Sequence, residues 1–173
     1  MTRLASFLVL FALLGCQPEI QWVWLEPVDS NFRIELPGTP EVVRRQLKLP
    51  FGDAPVNLWV VEDGDRSFIV GYTEYPESVA AVASADELLD SARDGHLRNV
   101  AGRLVRDEPT ERNGHRGRVI EIEAANGAAH VQGQLFIAHS RLYQVLATMT
   151  PDERDGPLVT RFLESFELLP SAP

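Results

Sequence analysis

The sequence predicts an α+β domain: a single, mainly antiparallel sheet flanked by helices. Three observations carry this. Short segments of alternating apolar and polar residues fill much of the chain, Asn113-Gly114 and Asn126-Gly127 join neighbouring segments as tight hairpins, and two stretches combine helical spacing with helix start signals. The order is strands, helix, strands, helix.

Each element has its own local cause. Trp22, Trp24 and Leu25 open the ordered chain. Phe32, Ile34 and Leu36 alternate with Arg33 and Glu35, a half-buried strand stopped by Pro37-Gly38-Thr39-Pro40. Val43 to Leu49 is a second, more charged strand, and Pro50 to Pro55 reads as a loop. Val56 to Glu62 and Ser67 to Thr73 flank Asp63-Gly64-Asp65 as a hairpin. Ser84 and Glu87 have capping-box spacing, and the helix they start puts Ala85, Leu88, Leu89, Ala92, His96 and Val100 on one face. Gly95 weakens that helix by about 1 kcal/mol relative to alanine.

Placing Asn126-Gly127 at a two-residue turn pairs Ile122 with Val131 and Ile120 with Gly133 on one face. The other face then pairs Glu123 with His130 and Glu121 with Gln132. Arg141 to Thr148 is apolar on both faces, as a central strand covered on both sides would be. Pro157 opens a last helix with Leu158, Val159, Phe162, Leu163 and Phe166 as its stripe.

The first 15 residues read as an export signal. Arg3 precedes an eleven-residue apolar run, Leu4 to Leu14, which is too short to cross about 30 Å of hydrocarbon as a helix. Leu13-Leu14-Gly15-Cys16 resembles the bacterial lipobox. That resemblance implies cleavage between Gly15 and Cys16 and acylation of Cys16, so the chain is expected to be held on a bacterial membrane by its N-terminal lipid. Gln17, in place of an aspartate, favours the outer membrane. Residues 16–21 form the lipidated cysteine and a short tether, and residues 22–173 one globular domain.

Composition narrows the function further. With 45% hydrophobic and 24% charged residues the mature chain suits a single core, not a disordered or multi-span protein. The net charge of −9 repels nucleic acid, and no basic stripe with interleaved aromatics answers it. Cys16 is the chain's one cysteine, so the mature domain is expected to have neither a disulfide nor a catalytic thiol.

Several segments in order then resemble the bacterial secreted proteins with the PsbP-like α/β/α sandwich. These are Phe32 to Pro40 after a tryptophan, Val70-Gly71-Tyr72, Leu89 to Gly95, Asn113 to Arg118, Arg141 to Val145, and Phe162 to Phe166. They span nearly the whole mature chain. The group is similar to PsbP, an extrinsic photosystem subunit that docks on a membrane complex and is not an enzyme. The resemblance implies an interaction or assembly role, with an envelope protein or small ligand as partner. It transfers no catalytic residue and no cofactor.

Chemistry-bearing residues are few. No GxSxG, HExxH, CxxC or phosphate-loop pattern occurs, so neither a catalytic nor a metal site is expected from motif. Arg112, His115, Arg116 and Arg118 form the basic cluster of an acidic chain and are the candidate contact for an anion or partner. His130 opposite Glu123 is the alternative, a metal-dependent or hydrolytic envelope enzyme, weighed against a plain cross-strand pair. His96 reads as a core or boundary histidine. Trp22 and Trp24 suit an edge strand better than the headgroup layer.

Overall fold

The computed structural model describes residues 20–49, 52–124 and 127–170. Gly15, Cys16, Gln17 and the export segment lie outside the described residues, as do Pro50 and Asn126. The elements are β1 (Val23–Leu25), β2 (Phe32–Leu36), β3 (Glu41–Leu49), β4 (Gly52–Asp63) and β5 (Arg66–Glu74), then α1 (Glu77–Ala80) and α2 (Ala85–Asn99). There follow β6 (Arg103–Arg112), β7 (His115–Glu123), β8 (His130–Ala138) and β9 (Arg141–Met149). A 3-10 turn at Pro151–Glu153 leads to α3 (Pro157–Glu164) and β10 (Glu167–Leu168).

Seven strands form one antiparallel sheet in the order β3-β4-β5-β9-β8-β7-β6. Two meanders, β3 to β5 and β6 to β9, join where β5 pairs with β9. The register follows the expected one: Ile122 faces Val131, Ile120 faces Gly133, and Glu123 faces His130. Asn113 and Gly114 both take positive φ, 52° and 78°, the left-handed pair that a two-residue hairpin turn needs. At Ser84 the capping box is complete, with the hydroxyl accepting from the Glu87 amide and the Glu87 carboxylate accepting from the Ser84 amide at 2.8 Å.

The single sheet is corrected to two. β1, β2 and β10 make a separate three-stranded sheet that lies on the large one with α3 beside it. Alternation in β2 specifies which side chains are buried, not which backbone the strand pairs with. Phe32, Ile34 and Leu36, all fully buried, pack face-down on Trp59, Phe68, Tyr143 and Val145, where sheet-on-sheet stacking buries more apolar area than an edge position would. Strands hold 52% of the structure and helices 21%, so the fold is richer in sheet than a balanced α+β domain.

A second correction concerns Pro50 to Pro55. Residues 52–55 belong to β4, pairing with β3 through Pro55 opposite Gln46. Pairing of β4 with β5 starts only at Val56, so the missing N–H of Pro55 breaks no ladder on that side. The one-turn helix α1 was not expected from its sequence.

The core is therefore split by the large sheet. On one face Phe32 and Phe166 meet Tyr143, Phe166 meets Phe136 and Phe162 meets Phe68, through ring contacts at 5.2–6.4 Å. Each fully buried ring contributes about 1.5–3 kcal/mol from area alone. On the other face Leu88 and Leu89 of α2 pack on Ile120, Ile122, Val131, Leu135, Leu142 and Leu146. β9 occupies the centre of the sheet and is buried from both sides, as the apolar residues on both of its faces require.

Candidate functional site

Where α2 sits decides what the sheet leaves open. Its apolar stripe packs on β7 and β8. Its polar side is fastened there too: Arg93 donates to Asp107 at 2.6 Å, Arg118 donates to Asp107 at 2.8 Å, and Arg118 also pairs with Asp90. Burial alone pushes the Asp107 carboxyl up, but the hydrogen bonds from Arg93 and Arg118 outweigh it and hold the carboxyl below its usual range. The same face of β3, β4 and β5 is left largely bare. Val43, Val56, Leu58, Val60 and Ile69 are only half-buried there, and Leu47 is 44% exposed.

Between this bare half and the second half of α2 lies a cavity of about 540 Å³. Its floor is Thr73, Tyr75, Leu142 and Gln144, its wall Val79, Leu88, Ala92 and His96, and its rim Leu47 and Arg98. Register explains the floor. Arg45, Val56, Thr73 and Leu142 form one row across four strands, and Val43, Leu58, Gly71 and Gln144 form another. Gly71 is required in that row, because a Cβ there would run into the Asn57 carbonyl oxygen and the Leu58 side chain.

The floor and wall are mainly apolar with a few polar side chains among them, the composition expected of a small-molecule cleft. Burial lowers the His96 pKa, and a hydrogen bond with Gln144 opposes this only in part, so the ring is held toward its neutral form. Burial raises the Tyr75 phenol, which stays protonated as a donor. A neutral imidazole, a phenol, an amide and the Thr73 hydroxyl can orient a polar group at the end of an apolar body.

The residues singled out by sequence fall elsewhere. The basic cluster divides between two faces of β7 and the hairpin tip. Arg112 donates to the Phe166 carbonyl and lies over the Phe136 and Phe166 rings at 5.4 and 5.8 Å, while Asn113 donates to the Leu168 carbonyl at 2.8 Å. The hairpin tip thus clamps the chain between α3 and β10. Arg116 reaches Asp86 on α2 at 2.7 Å, Arg118 belongs to the Asp107 network, and the His115 ring lies 5.8 Å from that of His139. Each guanidinium already has an internal acceptor.

His130 and Glu123 share a register position but not a contact. Glu123 turns to Arg103 directly across on β6, leaving the diagonal Glu121 as the acid near His130 Nε2, at 3.5 Å. His130 is only 3% exposed. Among the described residues no three histidine, aspartate or glutamate side chains are grouped to hold a metal ion. Trp22 stacks under Arg161 at 4.1 Å, and Arg161 holds Glu35 through two bonds of 2.8 and 2.9 Å. Trp24, 57% exposed, carries Arg33 at 5.5 Å. The edge strand expected of these tryptophans is β1.

Sequence reasoning placed His96 on the correct helix face but did not find the cavity. The available signals were Thr73 and Gln144, polar residues at inward positions of otherwise apolar strands. What they line depends on where α2 docks, and its seat is chosen by residues distant in sequence.

No family model matches the chain, and no curated protein matches it. A search of solved structures returns cyanobacterial PsbP (CyanoP) from Synechocystis sp. PCC 6803, with a TM-score of 0.56 at 14% identity, covering 91% of this chain and 98% of that one. The fold is PsbP-like. A protein of unknown function from Pseudomonas aeruginosa also returns, with a TM-score of 0.39 at 12% identity, covering 64% of this chain and 85% of that one. The PsbP-like likeness extends over both meanders and the covering layers and concerns architecture alone. No described helix is long and apolar enough to cross a membrane.

Proposed function

We propose that this protein is a lipid-anchored, non-enzymatic binding module of a bacterial cell envelope. Cys16 carries the anchor, and the cleft beside α2 takes a small, mainly apolar ligand with one polar end. The observation that carries the reading is the cavity of about 540 Å³, walled by Leu88, Ala92, Leu142 and Val79 with Thr73, Tyr75, His96 and Gln144 set among them. Outer-membrane attachment follows from Gln17 beside the acylated cysteine. The anchor itself rests on the Leu13-Leu14-Gly15-Cys16 motif. With lipid at residue 16 and Trp22 already pinned by Arg161, the domain stands close to its membrane.

The experiment has two arms. In the first, cells expressing the wild type and Cys16→Ser are fed radiolabelled palmitate. Label and membrane fractionation are expected for the wild type only, and label on Cys16→Ser sinks the anchor. In the second, the soluble domain is titrated with anilinonaphthalene sulfonate. Ala92→Trp, which fills the cleft, and Leu47→Asp, which charges its rim, are each expected to abolish the fluorescence gain. An unchanged gain in both folded variants removes the cleft from the proposal. The alternative enzyme built on His130 and Glu123 has no observation in its favour, because a ring 3% exposed offers no face to a substrate.

A further inference from the structure

The large sheet has two edges, and they are built differently. At one end, β6 carries Pro109, a register slip between Leu104 and Arg106, and the ion pairs of Arg103 with Glu123 and Arg106 with Glu108. A proline, a bulge and satisfied charges are the devices by which an edge is closed to further strands. At the other end, β3 pairs with β4 through nine consecutive residues with no slip and no proline of its own, and its outer side meets no strand among the described residues.

Charge separates the edges more sharply. Most described arginines hold an internal carboxylate or carbonyl. The side chains of Arg44, Arg45 and Lys48 make no ion pair, hydrogen bond or ring contact among the described residues, and among the other described cations the same is true of Arg98. Asp53 stands opposite Lys48 in register without pairing to it. Three of the four unpaired cations among the described residues of a chain with net charge −9 therefore sit on one edge strand. On the same strand Val42 and Leu47 are each 44% exposed, on opposite faces. An unpaired backbone, apolar footholds on both faces and a local excess of positive charge together describe a strand-addition site with a charge preference.

We propose that β3 is the docking edge for an extended acidic segment of a partner protein, which adds to the sheet as a further strand. The same charges argue against a second copy as the occupant, because two β3 strands laid side by side would bring Arg44, Arg45 and Lys48 against their counterparts. This surface is distinct from the cleft, and Leu47, which borders both, is left untouched in the test.

The probes are three nonapeptides: alternating glutamate and valine, alternating lysine and valine, and the glutamate peptide with alternate backbone nitrogens methylated. Phosphatidylglycerol vesicles form a fourth arm. Amide hydrogen exchange of the mature domain is the readout. The glutamate peptide is expected to slow exchange within residues 41–49 by about tenfold, and the triple change Arg44→Glu, Arg45→Glu, Lys48→Glu to weaken its binding by about tenfold. The altered protein is expected to accept the lysine peptide instead. These residues are exposed and make no internal contact, so the variant keeps its fold, which a melting curve checks. Binding of the methylated peptide as tightly as its parent overturns the proposal, since charge alone would then explain it. Equal binding of the lysine peptide to wild type overturns it as well. So does protection of β3 by vesicles without protection by the glutamate peptide, or no protection at all.

Discussion

One face of the seven-stranded sheet is treated in two ways. Over β7 and β8 it is covered by α2, with Leu89 1% exposed and Arg93, Asp107 and Arg118 locked behind it. Over β3, β4 and β5 the same face carries valines and leucines of similar character, yet these stay half-exposed, and Leu47 and Thr73 of these strands line a cavity. Apolar content does not separate the halves. What differs is the charge within reach of α2: the covered half supplies Asp107 and Arg118, with which Arg93 and Asp90 of α2 pair, whereas Glu41, Arg45 and Glu62 on the same face of the open half make no bond to α2. A fifteen-residue helix covers about two strands, and the ion network selects which two.

The largest break in this contrast comes from Leu89→Ala. Truncating a side chain 1% exposed under the helix is expected to cost about 2–5 kcal/mol in urea unfolding. A loss below about 1 kcal/mol means that α2 is not seated as described. Next is Asp107→Asn, which strips the shared acid from Arg93 and Arg118, themselves 19% and 20% exposed. About 1–3 kcal/mol is expected to be lost, because two partly buried guanidiniums keep only weaker acceptors. The same variant sharpens the acid limb of stability. A carboxyl whose folded pKa lies below the unfolded value stabilises above that value, near 3.8, and loses the contribution as pH falls below it. Wild type and Asp107→Asn should therefore converge in stability at low pH.

His96 gives a smaller effect on the open side. Its folded pKa lies below the unfolded value of 6.5, so the unfolded chain binds the proton more readily. The stability this contributes is present above about pH 6.5 and declines as pH falls through the folded pKa. Thermal melts at pH 7.5 and 5.5, roughly one unit either side of that value, should show a loss in wild type that His96→Gln lacks. The smallest effect is expected from Leu47→Ser, 44% exposed at the rim, which should change stability by less than about 0.5 kcal/mol. A large loss there would mean the open half is covered after all.

The legible parts of the fold share a property: their cause lies within a few residues. The capping box is an interaction between Ser84 and Glu87. The register of β7 with β8 follows from the alternation on either side of the connecting turn. Pro157 and the spacing of Val159 and Phe162 suffice for α3. The parts that could not be read depend on partners far along the chain. β2 alternates cleanly, but only its packing on Trp59 and Tyr143 shows that it belongs to a second sheet. The arginines at 112, 116 and 118 look like one basic patch because they are neighbours in sequence. In the structure Arg116 and Arg118, two apart on β7, share the face under α2 and reach Asp86, Asp90 and Asp107, whereas Arg112 on β6 lies on the opposite face and donates to the Phe166 carbonyl.

The sequence by itself determined most of the strands, the two longer helices, the Asn113-Gly114 hairpin and the lipobox motif, because each is written in local spacing. Tertiary structure alone decided that α2 lies over one half of the sheet, that a cleft opens over the other, and that Arg44, Arg45 and Lys48 remain unpaired on an edge. Those outcomes turn on which of several chemically similar partners a side chain reaches, and that choice is made only when the two meanders close on each other through β5 and β9.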